Sequence, residues 1–141
     1  ATVLCVDKTG TLTQNRMALN TLLAQDQTVL MAEASSENLS PAARTLLEFA
    51  RLASEIAPFD PMEQAFHALG ARCLSPDVGW VLVHEYGLSP DLPVMSHVWR
   101  VDEALPCRVA AKGAPESIAA LCHLPTDQRE RLTIAGQNRV A

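Results

Sequence analysis

Three strand-sized apolar runs follow one another in the second half of the chain, with helix-like stretches gathered on either side. Residues 78–86 and 94–101 read as strands joined by a proline-bearing connection, 87–93. Residues 107–111 read as a third strand that leads into a helix over 117–121. Strands in succession, with helices clustered apart from them, predict an α+β fold: an antiparallel sheet flanked by helices. At 141 residues the chain has room for one ordinary domain, or one domain plus a piece of another. With 48% hydrophobic and 19% charged residues it can bury a core, which excludes a disordered chain.

The first half has its own punctuation. Residues 2–6 form a continuous apolar run ending at Asp7, which predicts a buried, parallel strand. Residues 17–24 and 28–32 flank Gln25-Asp26-Gln27, a hairpin pattern, and 34–38 reads as a loop. Ser40-Pro41 is a helix start, with Leu46, Leu47, Phe49, Ala50 and Ala53 forming an apolar stripe and Ala57-Pro58 as the stop. Asp60-Pro61-Met62-Glu63 repeats the start signal, with Glu63 placed as in a capping box. The helix it opens carries Ala65, Phe66 and Leu69, with Gly70 near its end. Ser75-Pro76-Asp77 is a turn, and Thr126 caps a last helix that ends near Asn138.

Charge and cysteine usage narrow the partners. The net charge of −5 argues against duplex nucleic acid or an anionic membrane surface, both of which favour a basic face. No apolar run approaches the ~18 residues needed to cross a bilayer, and no signal pattern opens the chain. Cys5, Cys73, Cys107 and Cys122 are scattered without a CxxC, which reads as reduced thiols in a cytosolic setting. His67, His84, His97 and His123 show no metal-ligand spacing; His67 and His123 read as helix surface and the other two as strand positions.

Asp7 ends an apolar run, where open α/β sheets place their ligands. A carboxylate there can act as a nucleophile and form an aspartyl-phosphate. Lys8 and the loop amides can offset the charge of an incoming phosphoryl group, Gly10 permits close backbone approach, and Thr11 supplies a hydroxyl. Residue by residue, this is an ordinary strand-to-turn junction. As the full string Asp-Lys-Thr-Gly-Thr-Leu-Thr it is not, because a chance match to one named heptapeptide is on the order of 10⁻⁹ per starting position.

A second string, Lys112-Gly113-Ala114-Pro115-Glu116, leaves a strand and opens a helix. Lys112 offers phosphate a compact positive charge, and Gly113 lets a ligand lie against the backbone. A lone exposed lysine at a turn is the commoner fate. Yet the chain has only two lysines against nine arginines, and both lysines fall in these two strings.

The two strings, in this order, resemble the phosphorylation and nucleotide-binding motifs of the P-type cation-transporting ATPases. With no His-Pro dipeptide and no GxGxxG, the resemblance is to the calcium- and sodium/potassium-pump-like branch rather than to the heavy-metal pumps. It implies that residues 1–15 are a fragment of the phosphorylation domain of haloacid-dehalogenase-like fold, with Gln14-Asn15-Arg16 as a hinge strand. It implies that 16–141 is the cytosolic nucleotide-binding domain. Asp7 would take the γ-phosphate of ATP, aided by Lys8, Thr9 and Thr11. Mg2+ would be held by Asp7, the Thr9 carbonyl and an Asp beyond this segment. Glu63 would face the adenine amino group, Lys112 and Gly113 would hold the nucleotide, and Arg139 would contact its phosphates. Each has a plain alternative: a capping box for Glu63, a helix-end arginine for Arg139.

Two positions depart from the family's pattern. Where it has an adenine-stacking aromatic and, five residues on, a lysine, this chain has Leu88 and Pro93. Tyr86 is the nearest ring. Losing a stack worth about 0.5–1.5 kcal/mol predicts weaker nucleotide affinity. Soluble phosphatases of the haloacid-dehalogenase-like fold carry an Asp where Thr9 stands; threonine cannot shuttle a proton at neutral pH, which favours a long-lived phosphoenzyme. The resemblance thus implies ATP or ADP as ligand. It implies the remaining phosphorylation, actuator and transmembrane domains of one pump as partners, and the cytosolic face of a membrane as location. The segment itself would bind nucleotide without turning it over and would not insert in the membrane. A free phosphatase and a non-catalytic regulatory domain of the same fold are the alternatives.

Overall fold

The computed structural model describes residues 2–3, 5–6, 8, 13–24, 27–30, 38–75 and 79–137. It is α+β, and the chain divides into two compact units, 1–76 and 77–141.

In the first unit, β1 (Thr21–Ala24) and β2 (Gln27–Leu30) form an antiparallel pair with Ala24 opposite Gln27. The predicted hairpin is present, with Gln27 in the second strand rather than in the turn. Residues 17–20, expected in the first strand, precede it. Leu22 and Ala24, two apart and so on one face, are both buried. They join Leu39, Ala43 and Leu47 of and before α1 (Pro41–Leu52), and Leu69 and Cys73 of α2 (Pro61–Cys73), in one core. The i, i+4 pairs Ala43/Leu47 and Leu69/Cys73 are what bring the two helices into it. Leu46, expected on the apolar stripe, lies on the exposed side.

Both helices start where the sequence places them. Ser40 Oγ accepts from the Ala43 N–H (3.2 Å), and Asp60 Oδ1 accepts from the N–H groups of Met62 (2.8 Å) and Glu63 (3.2 Å). The end of α1 differs from expectation. α1 stops at Leu52, not at Ala57-Pro58: the Ser54 hydroxyl donates to the Ala50 carbonyl, the Ser54 N–H turns to the Arg51 carbonyl (3.0 Å), and the Glu55 N–H goes to the Glu63 carboxylate. Gly70 lies inside α2, near its end as expected. A Cβ there would come within 2.9 Å of Arg51 Cδ, so its bare Cα makes the notch in which the Arg51 stem lies.

The second unit is a three-stranded antiparallel sheet in the order β3 (Val81–Tyr86), β4 (Val94–Arg100), β5 (Arg108–Gly113), followed by α3 (Pro115–Leu121) and α4 (Thr126–Gln137). β3 begins after Gly79, whose φ of +83° is outside the strand region. β5 runs through Lys112 and Gly113, two residues beyond the predicted strand. Trp99, His97, Val94 and Ala110 are the buried strand residues. His123, expected on a helix surface, follows the α3 cap at φ +50°, with the Leu124 N–H bonded back to the Ala119 carbonyl (3.0 Å).

The expected buried strand over 2–6 is not found in its described residues. Thr2, Val3, Cys5 and Val6 are exposed and belong to no regular element, and Val3 is 77% exposed. A buried parallel strand exists only between partner strands under covering helices. Among the described residues both sheets are antiparallel and pair other residues.

Candidate functional site

Lys8 is the described member of the first motif's charged pair, and its side chain is exposed. Its carbonyl accepts from both the N–H (3.1 Å) and the hydroxyl (3.3 Å) of Thr13, which draws the two ends of the string together. Asp7, Thr9, Gly10 and Thr11 lie outside the described residues, as does Arg139. The Mg2+ ligands implied by the resemblance, Asp7 and Thr9, are therefore outside them too. Among the described residues no group of three or more His, Cys, Asp or Glu side chains could hold a metal ion.

Glu63 belongs to the first unit. Asp60 Oδ1 accepts from its N–H (3.2 Å), its own Oε2 accepts from the Glu55 N–H (3.2 Å), and the residue is only 4% exposed. The buried acid thus ties the chain leaving α1 to the first turn of α2. His67, on the same helix, reaches the Glu55 carbonyl (2.9 Å). Both polar groups of the Glu55 peptide therefore have side-chain partners on α2.

Lys112, Gly113 and Leu88 belong to the second unit. Lys112 is half-buried near the end of β5, opposite Met95. Gly113 has a tight neighbour: a Cβ would stand 2.5 Å from the Pro93 carbonyl oxygen and 2.9 Å from Val94 Cα. The backbone pressed against Gly113 is therefore the chain's own, and Pro93 supplies the carbonyl. The Ala114 N–H points to that same oxygen (3.4 Å). Pro115 then opens α3 with Glu116 in its first turn, as the motif's helix-start chemistry predicts. Leu88 is 66% exposed, just past β3.

The register decides which side chains can meet on one face. Tyr86 opposes Ser96 and Lys112 opposes Met95, adjacent positions on β4. Adjacent strand residues point to opposite faces, so Tyr86 stands on the face away from Lys112. Its ring packs against His84 there, centroids 4.3 Å apart. On the Lys112 face lie Glu85, His97 and Trp99. The Glu85 carboxylate is 3.4 Å from Nε2 of the fully buried His97. The sequence reading missed this pair: alternation alone assigns neither residue to a face until the cross-strand register is known. At the far end of the sheet the Arg108 guanidinium lies 5.1 Å from the Trp80 ring centroid.

Among the described residues no helix is long and apolar enough to cross a membrane. No family model matches the chain, and no curated protein or solved structure does.

Proposed function

We propose that this chain is the ATP-binding segment of a P-type cation-transporting ATPase, in which Lys112 holds the nucleotide phosphates and Asp7 accepts the γ-phosphate, with Mg2+ as the counter-charge. One observation carries the reading. The chain's two lysines sit in two strings of the family's motifs in the family's order, and the second string runs off an antiparallel sheet into a helix. That junction suits a phosphate ligand, since a lysine amine is a compact positive charge. The catalytic work in such a pump is mostly positioning and charge compensation. Cation transport, and the pump's other domains as partners on the cytosolic face of a membrane, follow from the same proposal.

Titrating MgATP into the 141-residue chain while following amide shifts is the direct test. Shifts centred on residues 108–116, lost in Lys112→Ala, are expected. A folded protein whose spectrum saturating MgATP leaves unchanged would end the proposal. The exposed Leu88, and Tyr86 on the far face, favour one second reading: a non-catalytic domain that has kept the fold without the ligand. The same titration separates the two.

A further inference from the structure

The chain leaving α1 is held by side chains of α2 at both ends of a short connection. Glu63 Oε2 accepts from the Glu55 N–H (3.2 Å), and the His67 imidazole meets the Glu55 carbonyl (2.9 Å). The Gln64 amide donates to the carbonyls of Pro58 (3.0 Å) and Phe59 (3.4 Å). A connection tied in this way has already lost much of its conformational freedom. What it presents to water is nevertheless apolar: Phe59 is 92% exposed, Ile56 67% and Met62 41%. Single surface hydrophobics are ordinary, but three large ones within seven positions, on a fixed connection, mark a contact surface. Preorganisation of this kind lowers the cost of binding.

The same compact unit carries a place for such an anchor. Leu23 and Ala24 of β1 and Ala42, Thr45, Leu46 and Phe49 of α1 line an open groove of about 420 Å³. The α1 residues follow an i, i+3, i+4, i+7 spacing, a second stripe beside the Ala43/Leu47 stripe that fills the core. None of the lining residues is charged, the composition of an interface centre. The middle of that stripe lies about 10 Å along the axis from the end of α1, where the connection begins. We propose that the connection 55–62 of one copy docks in the α1–β1 groove of a second copy, with Phe59 entering it. The contact is made twice, about a two-fold axis that lays the two α1 helices antiparallel, so it closes on itself. A buried Phe removes about 150–250 Å² from water, and with Ile56, Met62 and the exposed Leu46 the two contacts remove on the order of 1,000 Å² in all. That is the lower edge of specific interfaces, so the dimer is weak and reversible.

Sedimentation equilibrium of the 141-residue chain, without nucleotide, is the test. Wild type is expected to pass from monomer to dimer with a Kd of about 0.1–1 mM. Phe59→Ser removes the anchor and Thr45→Glu puts a charge in the groove; both positions are exposed, so the fold is kept. Each variant alone is expected to dimerise at least about tenfold more weakly than wild type. Mixed, the two form a pair with one intact anchor and one intact groove, and part of the association should return. Association that Phe59→Ser leaves unchanged, growth beyond the dimer, or a mixture no better than its components would each overturn the proposal. So would a wild-type chain that stays monomeric up to about 2 mM, which would assign the exposed tip to a partner of another kind. The nucleotide proposal stands or falls separately, because neither Lys112 nor Asp7 belongs to the tip or the groove.

Discussion

Gly113 shows how a glycine can be required by its own chain's packing. Its missing side chain is filled by the Pro93 carbonyl, a backbone group that cannot swing aside as a side chain can. Gly113→Ala is therefore expected to cost about 1–3 kcal/mol, the usual penalty for forcing atoms into a packed site. Gly70→Ala makes the useful contrast. Its closest neighbour is Arg51 Cδ, on a flexible stem, and alanine favours the helix by up to about 1 kcal/mol over glycine. The two effects oppose, so a change within about 1 kcal/mol of zero is expected there. Urea denaturation of both variants checks the pair; equal costs would contradict the geometry at Gly113. The sequence reading gives the space beside Gly113 to a ligand; in the fold the Pro93 carbonyl and Val94 stand there. Nothing local to Gly113 announces a neighbour twenty residues upstream, because that contact is a product of β4–β5 register.

At the scale of elements, the signals that proved readable are the ones whose physics is local. Ser40-Pro41 and Asp60-Pro61 mark helix starts because a cap bonds amides two or three residues away. Ser40→Ala is expected to lower stability by about 1 kcal/mol, and Asp60→Ala, which strands two amides, by up to about 2 kcal/mol. The end of α1 was not readable for the converse reason. It depends on Glu63, eight residues from the Glu55 amide it receives. Glu63→Gln keeps an acceptor oxygen and should change stability little. Glu63→Ala leaves the Glu55 N–H without that acceptor and is expected to cost about 1–3 kcal/mol. Thermal unfolding of the two variants separates a structural carboxylate from a purely ligand-facing one, which would leave both as stable as wild type without nucleotide. The run at 2–6 fails for a related reason. Apolar composition says that a segment can be buried, but only partner strands can bury it.

For the molecule as a whole, the proposal separates binding from turnover. The lysine assigned to the phosphates and the acid assigned to chemistry fall in different compact units, residues 77–141 and 1–76. Binding by Lys112 can therefore proceed whether or not Asp7 is reached. A ligand that binds only the folded state stabilises it by RT ln(1 + [L]/Kd), about 2.7 kcal/mol at a hundred times Kd. MgATP is accordingly expected to raise the melting temperature, and amide exchange should slow most in β4, β5 and the start of α3. Asp7→Asn should melt and bind as wild type does if the Lys112 site, within residues 77–141, is sufficient for binding. Neither protein should release phosphate from ATP at a steady rate. Under the proposal, Thr9, two residues after Asp7, cannot supply the carboxylate that would hasten hydrolysis of a phosphoenzyme. Sustained release by the pure wild-type chain, abolished in Asp7→Asn, would show that binding and transfer are joined within these 141 residues. The reading would then shift from a pump's nucleotide segment to a self-sufficient phosphotransfer enzyme.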